Sequence, residues 1–247
     1  MKASKVLEVA TYAGRIILEN GGETYRVEDT VCRICEAYGF EAQCFATITG
    51  IISSVKDRDG KPVALTERIT TRTTNLDKIH KVNAVAREIS NFSPDELMLL
   101  IKQIDSGLTY SEMKVFIAHC LGAASFSGMF GGTPKDFLGA FIIGGGIYFL
   151  KRISDKIELN PYLMYSAGGC MASVLAFLFF KLNIITSVDI TTIGSIMLLV
   201  PGMAITNAIR DIIAGDLVAG MARAAEAMII ATCLAIGSGA ALSTLLN

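Results

Sequence analysis

The 247-residue sequence predicts a membrane all-α fold, five transmembrane helices behind an amino-terminal cytosolic α+β domain. Three observations carry that prediction. The chain is 52% hydrophobic and 18% charged, with a mean hydropathy of +0.51, whereas a soluble domain carries about a quarter charged residues. The charges are unevenly placed, because residues 1–113 hold 14 of the 22 Lys and Arg and 16 of the 23 Asp and Glu. The rest of the chain is a series of long apolar runs. The expected division is residues 1–112 for the cytosolic head and residues 113–247 for the membrane part.

In the head, Val6, Leu7, Ala10, Ala13, Ile17 and Leu18 recur at helical spacing and stop at Gly21-Gly22. A second helix is expected from near Thr24 to Tyr38, ended by Gly39. Cys44 to Val55 is rich in Thr, Ile and Val and reads as one strand. Asp59-Gly60 makes a turn, and Leu65 to Thr74 reads as the partner strand. Asn75 caps a helix carrying Leu76, Ile79, Val82, Ala86 and Ile89. Ser93-Pro94-Asp95-Glu96 opens another with a capping box and proline at the first helical position.

A bilayer core of about 30 Å needs roughly 20 apolar residues in a helix. Five runs come near that length: Val115–Thr133, Phe137–Leu150, Leu159–Phe180, Ile190–Ile209 and Ala227–Asn247, the last helix beginning earlier, near Asp216. The second run is short, and Asp136 and Lys151-Arg152 are expected to reach outward to its interfaces. Lys151, Arg152, Lys156 and Arg210 follow the second and fourth runs, against Lys135 and Lys181 after the first and third. The positive-inside rule then keeps the head in the cytosol and puts the carboxyl terminus outside. Small residues recur in these runs, as Ala124, Gly128 and Gly132, as Gly144-Gly145-Gly146, and as Gly237 with Ala241. They suit close helix packing within the chain, or a face for a second subunit or a second copy.

A net charge of −1 gives no basic field for nucleic acid. The six cysteines are scattered and read as reduced thiols. Cys32 and Cys35 have redox or metal spacing but lack a second pair or a nearby histidine. His80 near Asn83 suggests hydrolytic chemistry, yet no nucleophile elbow, metal motif or phosphate loop accompanies it. No enzyme activity, cofactor or metal is expected. The start of the chain carries Glu8, Arg15 and Glu19 and does not read as a signal peptide.

The most informative segment runs from Leu199 to Asp211. Pro201-Gly202 breaks or kinks the fourth apolar run, and broken helices expose backbone groups that line substrate cavities. Asn207, Arg210, Asp211 and Asp216 follow, then Arg223 and Glu226. One reading is a kinked helix with interfacial charges. The other has Arg210 pairing an anionic group on substrate, with Asp211 or Asp216 carrying a coupling proton and serving as the counter-charge nearest in sequence. His119, inside the first run, is either hydrogen-bonded to a neighbour or a titrating relay.

These segments resemble the amino-terminal half of the threonine/serine exporter family. The resemblance rests on Gly21 to Glu28 and the helix around Asn83, on Gly131-Gly132-Thr133-Pro134 through Asp136, and on Pro201-Gly202 through Asp211, Gly215-Asp216, Gly220 and Arg223. It implies a bacterial inner-membrane exporter of a small amino acid or dicarboxylate, driven by the membrane potential or a proton gradient. Single-chain members look like about ten spans behind a soluble head. With five, this chain is similar to the larger subunit of the split form, which works with a smaller membrane subunit and is associated with succinate export. The rival reading is a membrane-anchored sensor or assembly factor whose head is the active part. Five glycine-rich spans with a Pro-Gly break favour a conduit.

Overall fold

The computed structural model describes residues 2–107 and 110–246. Its contacts divide the chain into two compact units, one of Met1–Thr109 with Met203–Ala225, the other of Tyr110–Gly202 with Glu226–Asn247. The sequence places 203–225 in the membrane part; in the structure this segment packs with the amino-terminal residues.

The first unit is built on α1 (Ala3–Glu19), whose Val6, Leu7, Val9, Ala10, Ala13, Ile16, Ile17 and Leu18 are all buried. A helix apolar over so much of its circumference must be covered on several sides. α2 (Thr24–Ala37) supplies Val27, Val31 and Ile34 to the same core. A three-stranded antiparallel sheet follows in the order β1 (Ala42–Thr47), β2 (Gly50–Lys56), β3 (Pro62–Arg68). In β2, Ile51, Ser53 and Val55 face the core while Ile52 faces out, the two-residue period of a half-buried strand. α3 (Leu76–Arg87) is capped by Asn75, which accepts from the Lys78 N–H. α4 (Pro94–Ser106) begins with the Ser93/Glu96 capping box that the sequence announces.

One strand expectation is corrected. Cys44–Val55 is not a single strand but parts of β1 and β2, reversed at Ile48-Thr49 with Thr47 paired to Gly50. Neither turn residue has positive φ, so the Gly or Asn signature of the commonest two-residue hairpin turns is missing. The Thr47 hydroxyl accepts from the Thr49 N–H instead. The partner strand also ends earlier than Thr74, at Arg68.

The second unit holds α5 (Glu112–Met129), α6 (Pro134–Lys156), α7 (Pro161–Lys181), α8 (Val188–Ile196) and the later part of α10 (Leu217–Leu246). Among the described residues, three helices are long and apolar enough to cross a membrane: α6, α7 and Leu217–Leu245. The first expected run folds as α5, 18 residues with Glu112 and Lys114 in its first turns. The fourth is split. α8 has nine residues, about 14 Å of helix, and residues 197–201 separate it from α9 (Gly202–Ala214). The last residue of the fifth run, Asn247, lies outside the described residues.

Close packing in this unit uses the small residues. A Cβ on Gly144 would lie 2.7 Å from the His119 carbonyl oxygen, one on Gly194 2.6 Å from the Ser127 amide, and one on Gly237 1.9 Å from the Ser166 carbonyl oxygen. Asp136 departs from the sequence reading. Rather than reaching outward it is 0% exposed. Its carboxylate accepts from Thr133 N (2.9 Å) and Oγ1 (2.7 Å), and from Thr186 N (2.7 Å) and Ser187 N (2.9 Å). As residue N3 of α6 its reach back to the cap positions it inward, where it also ties the loop before α8 to the same point.

Candidate functional site

The site grows from two helix ends in the first unit, each closed by a glycine. α1 ends with Gly21 at φ +90°, with Gly22 N donating to Ile17 O at 2.9 Å and Gly21 N to Leu18 O at 3.3 Å. This is the Schellman arrangement, and a side chain at Gly21 would be strained in it. α9 ends the same way at Gly215, φ +99°, with Asp216 N donating to Asp211 O at 2.9 Å. Each ending turns the chain sharply into the next helix, α2 in one case and α10 in the other.

The two corners meet side chain to backbone. Asn207 Nδ2 donates to Gly21 O at 2.8 Å, and Arg223 Nη2 donates to Gly22 O at 3.1 Å. The Thr24 amide, first in α2, donates to Asp211 Oδ1 at 2.9 Å. Glu23 makes no cap bond of its own, so Asp211 takes the place of the cap, a carboxylate at the positive end of a helix. The Thr24 hydroxyl donates to Asp216 Oδ2 at 3.4 Å.

The charges are paired across the same junction. Arg210 Nη1 donates to Glu23 Oε1 at 2.6 Å, and Glu23 Oε2 stands 3.0 Å from Arg26 Nε. Arg223 Nε faces Asp211 Oδ2 at 3.4 Å, an offset ion pair between side chains that are 8% and 0% exposed. Burial holds the Asp211 carboxyl above the usual carboxylate range, against the opposing pull of the Thr24 hydrogen bonds and Arg223. Burial does the same to Glu28, which accepts from Ala46 N at 2.7 Å.

Of the sequence-derived candidates, Asn207, Arg210, Asp211, Asp216 and Arg223 therefore come together around Gly21–Thr24. Arg210's counter-charge is corrected: it is Glu23, not Asp211 or Asp216. Adjacent residues on a helix point in different directions, so Arg210 and Asp211 cannot face one another. Pro201 lies in the break before α9 and Gly202 opens that helix. His119 belongs to the other unit, where its Nδ1 is 2.8 Å from Val115 O and its ring lies edge-on to Tyr148 at 5.5 Å. Glu23 and Thr24 were given no role by the sequence reading. Their signal was the Gly-Gly-Glu-Thr run, which marks a turn into a helix but not what sits on it. In the first unit, burial pushes the Cys35 thiol up to about 12, which keeps it protonated and unreactive.

Residues 8–245 match the threonine/serine exporter family. The chain belongs to that family. Relatives are similar over most of its length. One from Klebsiella aerogenes, named "Probable succinate transporter subunit YjjP", is 22% identical over 225 residues, covering 89% of this chain and 87% of that protein. The Escherichia coli protein of the same name is 22% identical over 236 residues, 94% of this chain and 92% of its own. A "Probable threonine/serine exporter" of Mycobacterium tuberculosis is 21% identical over 241 residues, and there the chain spans 45% of the longer protein. No solved structure matches. As a member of the exporter family with three helices apolar enough to span, the chain is a multi-pass membrane protein.

Proposed function

We propose that this chain is the head-bearing subunit of an inner-membrane exporter for a small amino acid or dicarboxylate, of the threonine/serine or succinate type. The match of residues 8–245 to the exporter family carries the proposal, and relatives named as succinate transporter subunits support it. Its partner is a smaller membrane subunit. That fits both the word subunit in those names and the 45% share of the mycobacterial protein that this chain spans. The chain is arranged as a cytosolic head, residues 1–112, and five spans from residue 113 onward, the fourth being the apolar run Ile190–Ile209 with its Pro-Gly interruption. A second copy of the chain is a further surface for the small-residue faces.

The transport residues are Pro201, Gly202, Asn207, Arg210, Asp211, Asp216 and Arg223, with His119 a structural residue of the first span. Arg210 receives the carboxylate of the substrate by exchanging it for Glu23, since its guanidinium is half exposed and already holds a carboxylate. Asp211 carries the coupling proton. When it is neutral, Arg223 and the Thr24 amide face an uncharged partner, so proton uptake changes the charge balance of the junction between the two helix corners. Counterflow assays in vesicles holding both subunits test this directly: radiolabelled succinate or threonine should exchange, and Arg210→Lys should slow the exchange. Absence of exchange for both substrate classes would sink the proposal.

A further inference from the structure

We infer that the head carries a second anion site, a groove between α2 and α3 that takes a short-chain dicarboxylate from the cytosol and reports its presence to Arg210 through Glu23. The groove has a volume of about 320 Å³, the size of a small metabolite rather than a nucleotide. Four of its lining residues are hydrogen-bond donors: Arg26, His80, Asn83 and Arg87. Leu76 and Ile79 supply an apolar floor, suited to the methylenes between two carboxylates. No acidic side chain lines the groove among the described residues. Two guanidinium groups sharing one concave surface repel one another, and a dianion relieves that repulsion while using the planar fork of each.

The connection to the α9 corner is short. Among the described residues, the hydrogen-bond and ion-pair partners of Arg26 are the Tyr25 hydroxyl at 3.2 Å and Glu23 Oε2 at 3.0 Å, both at Nε. Its terminal nitrogens are left to the groove. The other oxygen of Glu23 holds Arg210 at 2.6 Å. One carboxylate is thus shared between a guanidinium of the groove and a guanidinium of the α9 corner. An anion that draws Arg26 toward Arg87 leaves Glu23 to Arg210 alone and tightens that pair. A filled groove therefore changes how readily Arg210 exchanges Glu23 for substrate. The binding half of this inference stands apart from the export reading, and the coupling half rests on it.

Hydrogen exchange on the full-length chain in its purified membrane complex tests both halves, with succinate as the probe. Succinate should slow amide exchange in residues 76–87 and around Glu23 to Val27. In Arg87→Ala the apparent affinity read from that protection should fall by about tenfold or more, the loss of a charge-assisted pair of hydrogen bonds. Arg87→Lys, which keeps the charge without the fork, should fall between. Arg87 is exposed at the end of α3 and is not needed to fold it. No protection at millimolar succinate, or protection unchanged in Arg87→Ala, would overturn the site. Equal protection by inorganic phosphate would overturn the dicarboxylate assignment. Protection with no measurable flux would leave the site standing and count against the export reading.

Discussion

Asp211 accepts the backbone N–H of Thr24 at 2.9 Å across 187 residues of chain. That bond, with the buried Arg223 beside it, makes the carboxylate both a structural tie and a titratable one.

Asp211→Ala removes one partner of a buried arginine and the acceptor of a helix-end amide. Removing one member of a buried ion pair costs up to about 3–5 kcal/mol, so the variant should melt well below wild type. Asp211→Asn also loses the charge facing Arg223 but keeps an acceptor for Thr24, so it should melt between Asp211→Ala and wild type. Thermal unfolding of the two variants in one detergent checks the difference, and equal melting would show that the pair is not a tie.

The same substitution bears on pH. Burial raises the Asp211 carboxyl above its ordinary value of 3.8, so between 3.8 and the raised value the folded chain binds a proton that the unfolded chain does not. By linkage, this residue's contribution to stability falls as pH rises through that window. Asp211→Asn should lack that slope, and its transport should show a flatter pH profile than wild type. An unchanged profile would remove Asp211 from proton coupling.

Arg210→Lys keeps a positive charge near Glu23 but loses the fork that matches a carboxylate. Efflux should fall severalfold while melting stays within about 1 kcal/mol equivalent, because an ion pair with one exposed partner contributes little. Efflux at the wild-type rate would make Arg210 an interfacial charge and nothing more.

Helix packing gives a test free of transport. Gly237→Ala would drive a methyl to 1.9 Å from the Ser166 carbonyl oxygen, whereas nothing lies within 4 Å of a Cβ at Gly239. Gly237→Ala should express poorly and Gly239→Ala normally, because lipid-embedded helices associate through close packing. Equal yields would argue against the α7–α10 contact.

The topology prediction is that a reporter fused after Asp155 reads cytosolic and one after Asn247 reads external. It follows from Lys151, Arg152, Lys156 and Arg210 in the loops after the second and fourth apolar runs. A cytosolic signal at Asn247 would defeat an odd number of spans.

Helix ends were the most legible features of the sequence, because their determinants are local. Asn75 and Ser93 each cap the helix that follows, through contacts three residues away. The break at Pro201-Gly202 was legible for the same reason. The hairpin at Ile48-Thr49 was not, since its turn residues are also good strand residues. The meeting of Gly21–Thr24 with Asn207–Arg223 was invisible, because no periodicity encodes a contact between segments so far apart. Choosing Arg210's partner by nearness in sequence failed there. Glu23 is remote in the chain and adjacent in space.

The closed corner between Gly21–Thr24 and the α9–α10 turn also sets an order of events during synthesis. At about 5–20 residues per second, a ribosome needs roughly 10–40 s to travel from Thr24 to Asp211. Throughout that interval the start of α2 has emerged without the carboxylate that finishes it, and Glu23 without Arg210. The amino-terminal unit is completed only after most of the apolar helices have been delivered to the bilayer. A nascent chain stalled before residue 203 should accordingly present its first hundred residues to proteases in a form the finished protein never shows.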